Sequence, residues 1–282
     1  MVDTREARRA WRRLEPVHGM IYFVPEAREL YAALGLRGRA GYFASRGAAF
    51  GAASAEVVIA TFYNFNPDLV RRSLAAAWEK TSPTEVLAAR LEAAGTALRR
   101  GGVDGAGALA ETLALARRAA EAAAEHVHGR PLFAAHAALP WPGEPLLDLF
   151  HAQTLLREFR GDGHVALLVS EGLSPVEALV LHAASREVPE IFLKTSRGWP
   201  EEAWGEAADA LKARGLLADG LTEEGARLRG HIESRTDELA MPAYAALGED
   251  GCSRLAELAR PFGRAVVDAG LLPLSSRGPG SS

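Results

Sequence analysis

Alanine and leucine dominate this chain and runs of β-branched residues are few, so helices are expected to carry the fold. Proline and glycine cut that helical potential into segments. Ala7, Ala10, Trp11 and Leu14 recur at helical spacing behind Thr4, a predicted N-cap, with Pro16 predicted to break or kink this first helix. Pro25 opens a helix that Gly35 ends, and segments 39–47, 53–63 and 67–80 read as three more, the last started by Asn66-Pro67. Ser82-Pro83-Thr84 opens a helix through Leu98. GGVDG at 101–105 is a turn before an alanine-rich helix ending near Arg130. Four prolines then predict irregular or short-helical structure over 131–145.

The bulk properties exclude several classes. At 282 residues there is room for one large domain or two ordinary ones. With 48% hydrophobic and 24% charged residues the chain reads as soluble and globular, and a net charge of -4 gives no global pull toward nucleic acid or anionic membrane. The one cysteine, Cys252, precludes an internal disulfide and a Cys-rich zinc site. No signal-like apolar region opens the chain and no run approaches the ~18 apolar residues of a membrane helix, so the expected location is cytoplasmic. The dinucleotide, P-loop, nucleophile-elbow and HExxH patterns are absent, and the expectation is no cofactor and no metal site.

One stretch stands out. REFRGDGH (157–164) interrupts two apolar runs with two arginines, an aspartate and a histidine around two glycines. It reads as a helix end at Arg160, a reversal through Gly161 and Gly163, and a new helix begun at His164 and capped by Asp162. A turn needs a glycine and a cap but not two arginines, and arginines held in apolar surroundings must be paired, by protein carboxylates or by an anionic ligand.

From Ser174 onward the order is helix, short helix, a helix ending in LKARGLL, a tight turn at Gly220, and LTEEG opening a long helix. Leu211, Arg214 to Leu217 and Leu221 to Gly225 carry a resemblance to winged-helix proteins of the MarR type. It implies a C-terminal winged helix-turn-helix with a small β-hairpin, and a homodimer joined through terminal helices, for which the amphipathic stretch 253–270 is available. Thr222 suits the N-cap of the LTEEG helix, with Glu223 and Glu224 at the positive end of its dipole. The whole chain also resembles an actinobacterial family of about this length that carries a helix-turn-helix label, through LEPVHGMIYFVPE (14–26), GYFASRG (41–47), LPWP (139–142) and LLREFRGDGH (155–164). The expected class is mainly α: a helical N-terminal domain over 1–145, the winged-helix domain over 146–273 and a disordered tail over 274–282.

A DNA-reading helix should show a basic exposed face. The helix in the recognition position, 200–214, instead carries Glu201, Glu202, Glu206 and Asp209 against Lys212 and Arg214, so DNA is possible but disfavoured. The candidate chemistry lies upstream. Glu15, His18 and Tyr22 share one helical face, and His18, His151 and His164 are the candidate acid/base groups. Tyr22, Arg46, His136, Trp141, Arg157, Arg160 and Asp162 are candidate ligand-binding residues, with Tyr42, Phe43 and Phe150 as apolar walls. The expected function is the binding of a small anionic molecule with an apolar or aromatic body, with a regulatory output. The competing class is a cofactor-independent enzyme built on the same histidines and arginines.

Overall fold

Helices begin where side chains can take up the free N–H groups of a first turn. The computed structural model describes residues 3–273, so the expected tail over 274–282 lies outside the described residues. Helix α1 (Thr4–Gly19) is capped by Asp3, not Thr4: the Asp3 carboxylate accepts the Arg5 N–H at 2.9 Å. Pro16 does not break it. The helix runs on to Gly19, although Pro16 leaves the Arg12 carbonyl without its helical hydrogen bond. Helices α2 (Pro25–Ala33), α3 (Arg39–Gly47) and α4 (Ala55–Phe62) follow. The segment predicted over 67–80 divides into α5 (Pro67–Leu74), whose first turn bonds to the Asn66 side chain, and α6 (Ala77–Lys80). A Ser82–Glu85 capping box starts α7 (Pro83–Arg100), and α8 (Leu109–Ala124) and α9 (Pro131–Ala137) complete the N-terminal half.

The main correction concerns REFRGDGH. Helix α10 runs unbroken from Pro145 to Ser170, straight through Gly161 and Gly163. Asp162 therefore caps no following helix of its own; its carboxylate reaches sideways and accepts the Phe133 N–H at 2.9 Å, in the first turn of α9. Gly163 is small because Arg130 crosses α10 there. A Cβ at this position would lie 2.9 Å from Arg130 Nη1, and Arg130 donates to the Phe159 and Leu239 carbonyls. Gly161 meets no such neighbour. Gly161→Ala is therefore expected to stabilise the protein by about 0.5–1 kcal/mol, as glycine removal from a helix interior does. Gly163→Ala should lose that gain by displacing Arg130, and urea denaturation of both variants checks the difference.

The remaining helices are α11 (Pro175–Ala184), with a Ser174–Glu177 capping box, α12 (Glu190–Arg197), α13 (Glu201–Ala213), α14 (Glu223–Ala245), capped by Thr222 through the Gly225 N–H, and α15 (Gly248–Asp268). The chain between α13 and α14 forms no strands among the described residues. The expected β-hairpin is reduced to one antiparallel bridge, Leu217 to Leu221, because only three residues separate them.

Apolar residues gather into two cores. The larger takes in α1 to α10 as far as Phe159, and then the end of α14 and α15, through Tyr244, Leu255, Ala259, Phe262 and Val266. The smaller joins Leu168 at the end of α10 to Val176, Leu181, Leu193, Trp204, Leu211 and Ile232. The apolar face of α15, expected to join two copies, is thus buried within its own chain, mainly against α1.

Helices α11 to α13 are fastened to the larger body at the turn between α12 and α13. Asn66 N–H bonds to the Arg197 carbonyl at 3.0 Å, Trp199 Nε1 to the Asn64 carbonyl at 3.0 Å, and Arg39 to the Thr195 carbonyl at 2.9 Å. Tyr63 donates to the Leu173 carbonyl, and Gly198, at φ 72°, lies where a Cβ would be 2.7 Å from Leu69.

Candidate ligand-binding site

At the centre of the larger core α1 faces α10. His18 is fully buried, its Nδ1 2.9 Å from Thr154 Oγ1 and its Nε2 2.9 Å from the Tyr22 hydroxyl. Thr154 gives its only proton to the Phe150 carbonyl at 2.9 Å, so it can only accept from His18. Nδ1 therefore carries the imidazole proton, and Nε2 accepts from Tyr22. The neutral ring is also what the surroundings demand: burial first, then the charges of Arg157, Arg90 and Arg46, hold its pKa well below the ordinary value. The i, i+4 spacing that put His18 and Tyr22 on one face was legible; Thr154 as the orienting group was not.

Around this line lies an alternating row of charges. Arg46 donates twice to Glu158, at 2.9 and 3.3 Å, and Arg157 bonds Glu158 at 3.1 Å and Glu15 at 2.9 Å. Burial raises the Glu158 pKa, but Arg46 and Arg157 outweigh it and bring the carboxyl down to about 2. Two guanidinium groups and two carboxylates therefore cancel. The arginines that the sequence singled out as anion anchors already have protein partners. So does Arg160, which bonds Glu233 and Asp237 at 2.9 and 3.0 Å, beside Arg8.

Arg90 is different, and sequence reasoning missed it. It stands on the buried face of α7 with Val86, Ala93, Ala94 and Ala97, only 3% exposed. Neither Nη1 nor Nη2 has a hydrogen-bond partner. The rings of Tyr22 and Phe150 flank the guanidinium at 5.6 Å each, which offers cation–π attraction but no counter-charge. Further buried polar atoms without partners lie on the neighbouring helices: both polar atoms of the Gln153 amide and the Nε2 atoms of His136 and His151. The Tyr31 hydroxyl lies beside Ser45 and Arg90 without a well-formed bond to either. Arg90 is close enough to His18, His136, His151 and Tyr31 for its charge to bear on their ionisation. Burial is the main cause for the two further histidines, lowering His136 to about 3 and His151 to about 4. A signal for Arg90 was present: it falls four residues from Val86 and Ala94, on the apolar stripe of its helix.

A cleft of 280 Å³ leads in from the surface, lined by Tyr22, Tyr31, Tyr42, Ser45, Gly41 and Arg28 among others. Tyr22 and Tyr31 have Arg90 beside them, although Arg90 itself does not line the cleft. Tyr42, Phe43 and Phe65 continue the aromatic wall.

The other predicted site residues divide by place. Trp141 meets His151 edge-on, with ring centroids 5.0 Å apart, and carries Arg117 on its face. His164 is not part of this centre. Its Nδ1 is 3.0 Å from Thr236, which donates to the Ile232 carbonyl, the same arrangement as His18 and Thr154; burial lowers its pKa to about 4. Burial raises Asp162 to about 6, against the Phe133 N–H. Among the described residues no group of three His, Cys, Asp or Glu side chains is placed to hold a metal ion, and no single helix is long and apolar enough to cross a membrane.

The fold is an all-helical body among the described residues, in which α13, at the expected recognition position, exposes Glu201, Glu202, Glu206 and Asp209. The chain belongs to a helix-turn-helix family, whose model matches residues 7–273, nearly the whole length. No curated protein and no solved structure matches it.

Proposed function

We propose that the protein binds a small monoanion with an apolar or aromatic body at Arg90, and that the helix-turn-helix part gives this binding a regulatory output. The observation that carries the reading is the buried Arg90 guanidinium, which has no carboxylate partner among the described residues. A guanidinium stays protonated in a protein, and burying it unpaired is costly. Arg46 and Arg157 are neutralised by Glu15 and Glu158 and the nearby histidines are held neutral, so the Arg90 charge has no carboxylate of its own. A small carboxylate would supply one. The aromatic walls and the modest cleft suit a small ligand. The acidic exposed face of α13 makes it a poor reader of a DNA groove.

Titration calorimetry with benzoate, hexanoate and phenyl phosphate tests this. The carboxylates are expected to bind, and Arg90→Met to weaken them about 10- to 100-fold, the worth of a charge-assisted hydrogen bond. Heat from none of the three probes, or undiminished carboxylate binding by the variant, would sink the reading.

The line Tyr22–His18–Thr154 favours a second reading, a cofactor-independent enzyme in which Tyr22, oriented by His18, exchanges a proton with the bound molecule. Tyr22→Phe separates the two. It leaves a pure binding protein still able to bind and stops an enzyme from turning over.

A further inference from the structure

A net charge of -4 conceals one strongly basic surface. Between α1 and α15 runs a groove of 970 Å³ whose charged lining is Arg5, Arg8, Arg9, Arg12, Arg13, Arg260 and Arg264 against a single acid, Asp268. Some of these arginines are occupied. Arg8 pairs with Glu233 and Asp237, Arg9 with Glu6, and Arg13 donates to the Ala256 carbonyl at 2.7 Å. Arg5, Arg12, Arg260 and Arg264 are exposed, and among the described residues none of their side chains has a carboxylate or carbonyl partner. The crowding is felt within the groove, where Arg13 is lowered by burial and then by Arg9 and Arg260.

We propose that this groove holds the phosphate backbone of double-stranded nucleic acid, so that the chain contacts a duplex through α1 and α15 rather than through α13. Four guanidinium groups free to donate to phosphate oxygens, arranged along two helices, fit a polyanion with repeating charge. The lining has no aromatic side chain, so it lacks the stacking platforms that single strands use. A membrane surface would want apolar side chains beside the basic ones. The exposed large apolar residues, Phe23, Val57, Val169 and Ile191, all lie on other elements. Backbone contacts of this kind carry no base readout, so binding should be indifferent to sequence. The proposal is independent of the ligand at Arg90.

The test is fluorescence anisotropy of the full chain with a labelled duplex of arbitrary sequence, titrated over salt, beside the variant R5Q/R12Q/R260Q/R264Q. These positions are exposed, and circular dichroism confirms that the variant is folded. The wild-type protein is expected to bind at low salt with a slope of log K against log salt of about -3 to -4, as four phosphate contacts require. The variant should bind at least tenfold more weakly, with a much shallower slope. Four results would overturn the proposal: no duplex binding by the wild type, equal binding by the variant, binding to phosphatidylserine vesicles but not to the duplex, or low-salt self-association that the same substitutions abolish. The last would mean that the acidic face of α13 from a second copy occupies the groove.

Discussion

Arg46→Met is expected to destabilise the protein by about 3–5 kcal/mol, while Arg90→Met should leave its stability unchanged or raise it. Arg90 is buried and Arg46 largely so, and a count of charges inside the fold would treat them alike. Their partners differ. Arg46 donates twice to Glu158, so its removal strands much of a buried carboxylate, which Arg157 alone then compensates through one hydrogen bond. Arg46 also lies 4.3 Å from the centre of the Phe62 ring, a packing contact that methionine keeps only in part. Removing Arg90 strands no carboxylate, because none pairs with it, and methionine fills the space between Tyr22 and Phe150 with apolar atoms. Urea denaturation of the two variants without added anion gives the comparison directly. Equal losses would mean that Arg90 is a structural ion after all, and the ligand reading would fall with that result.

Lowering the pH from 7.5 to 5.5 is expected to cost about 4 kcal/mol of folding stability, an unusually steep acid response. His18, His136, His151 and His164 all have folded-state pKa values depressed by burial, to about 3 for His136 and about 4 for His151 and His164. In the unfolded chain the same rings take up protons near pH 6.5, so below that pH the unfolded state binds more protons and gains on the folded one. Each histidine contributes roughly 1.4 kcal/mol in all between pH 7.5 and 5.5. Asp162 acts in the opposite sense. Its pKa is raised to about 6, so protonation near pH 6 relieves a folded-state cost and offsets part of the loss. Glu158, held at about 2, stays charged throughout and loses its contribution only in stronger acid. Denaturation midpoints measured at both pH values check the sum. A midpoint that does not move would show that these rings reach solvent.

Much of the architecture was legible because it rests on local chemistry. Asn66, Ser82, Ser174 and Thr222 start helices with side chains that bond nearby N–H groups, and these bonds need no knowledge of the tertiary fold. Glycine at 161 and 163 misled for the complementary reason. A glycine inside a helix and a glycine in a turn have the same local signature, and only the distant Arg130 shows why position 163 must be small. The same distance separates residue from partner for the arginines of REFRGDGH. Their need for carboxylates could be read, but Glu15, Glu233 and Asp237 come from far along the chain. Arg90 and the groove were hidden by averaging. One arginine on an alanine-rich helix resembles a solvated one, and a near-neutral total masks the arginines packed into TREARRAWRR.

The unbroken α10 has a mechanical meaning. Thr154 bonds His18 beside the Arg90 centre, and Leu168, about 21 Å further along at 1.5 Å per residue, belongs to the smaller core with α11 to α13. A turn at Gly161 would have acted as a joint and let either end move alone. A single rod has no such joint. Any rotation imposed at its middle is delivered to its far end, and the bonds that pin the Arg197–Trp199 turn to the Asn64–Asn66 loop must then yield or resist.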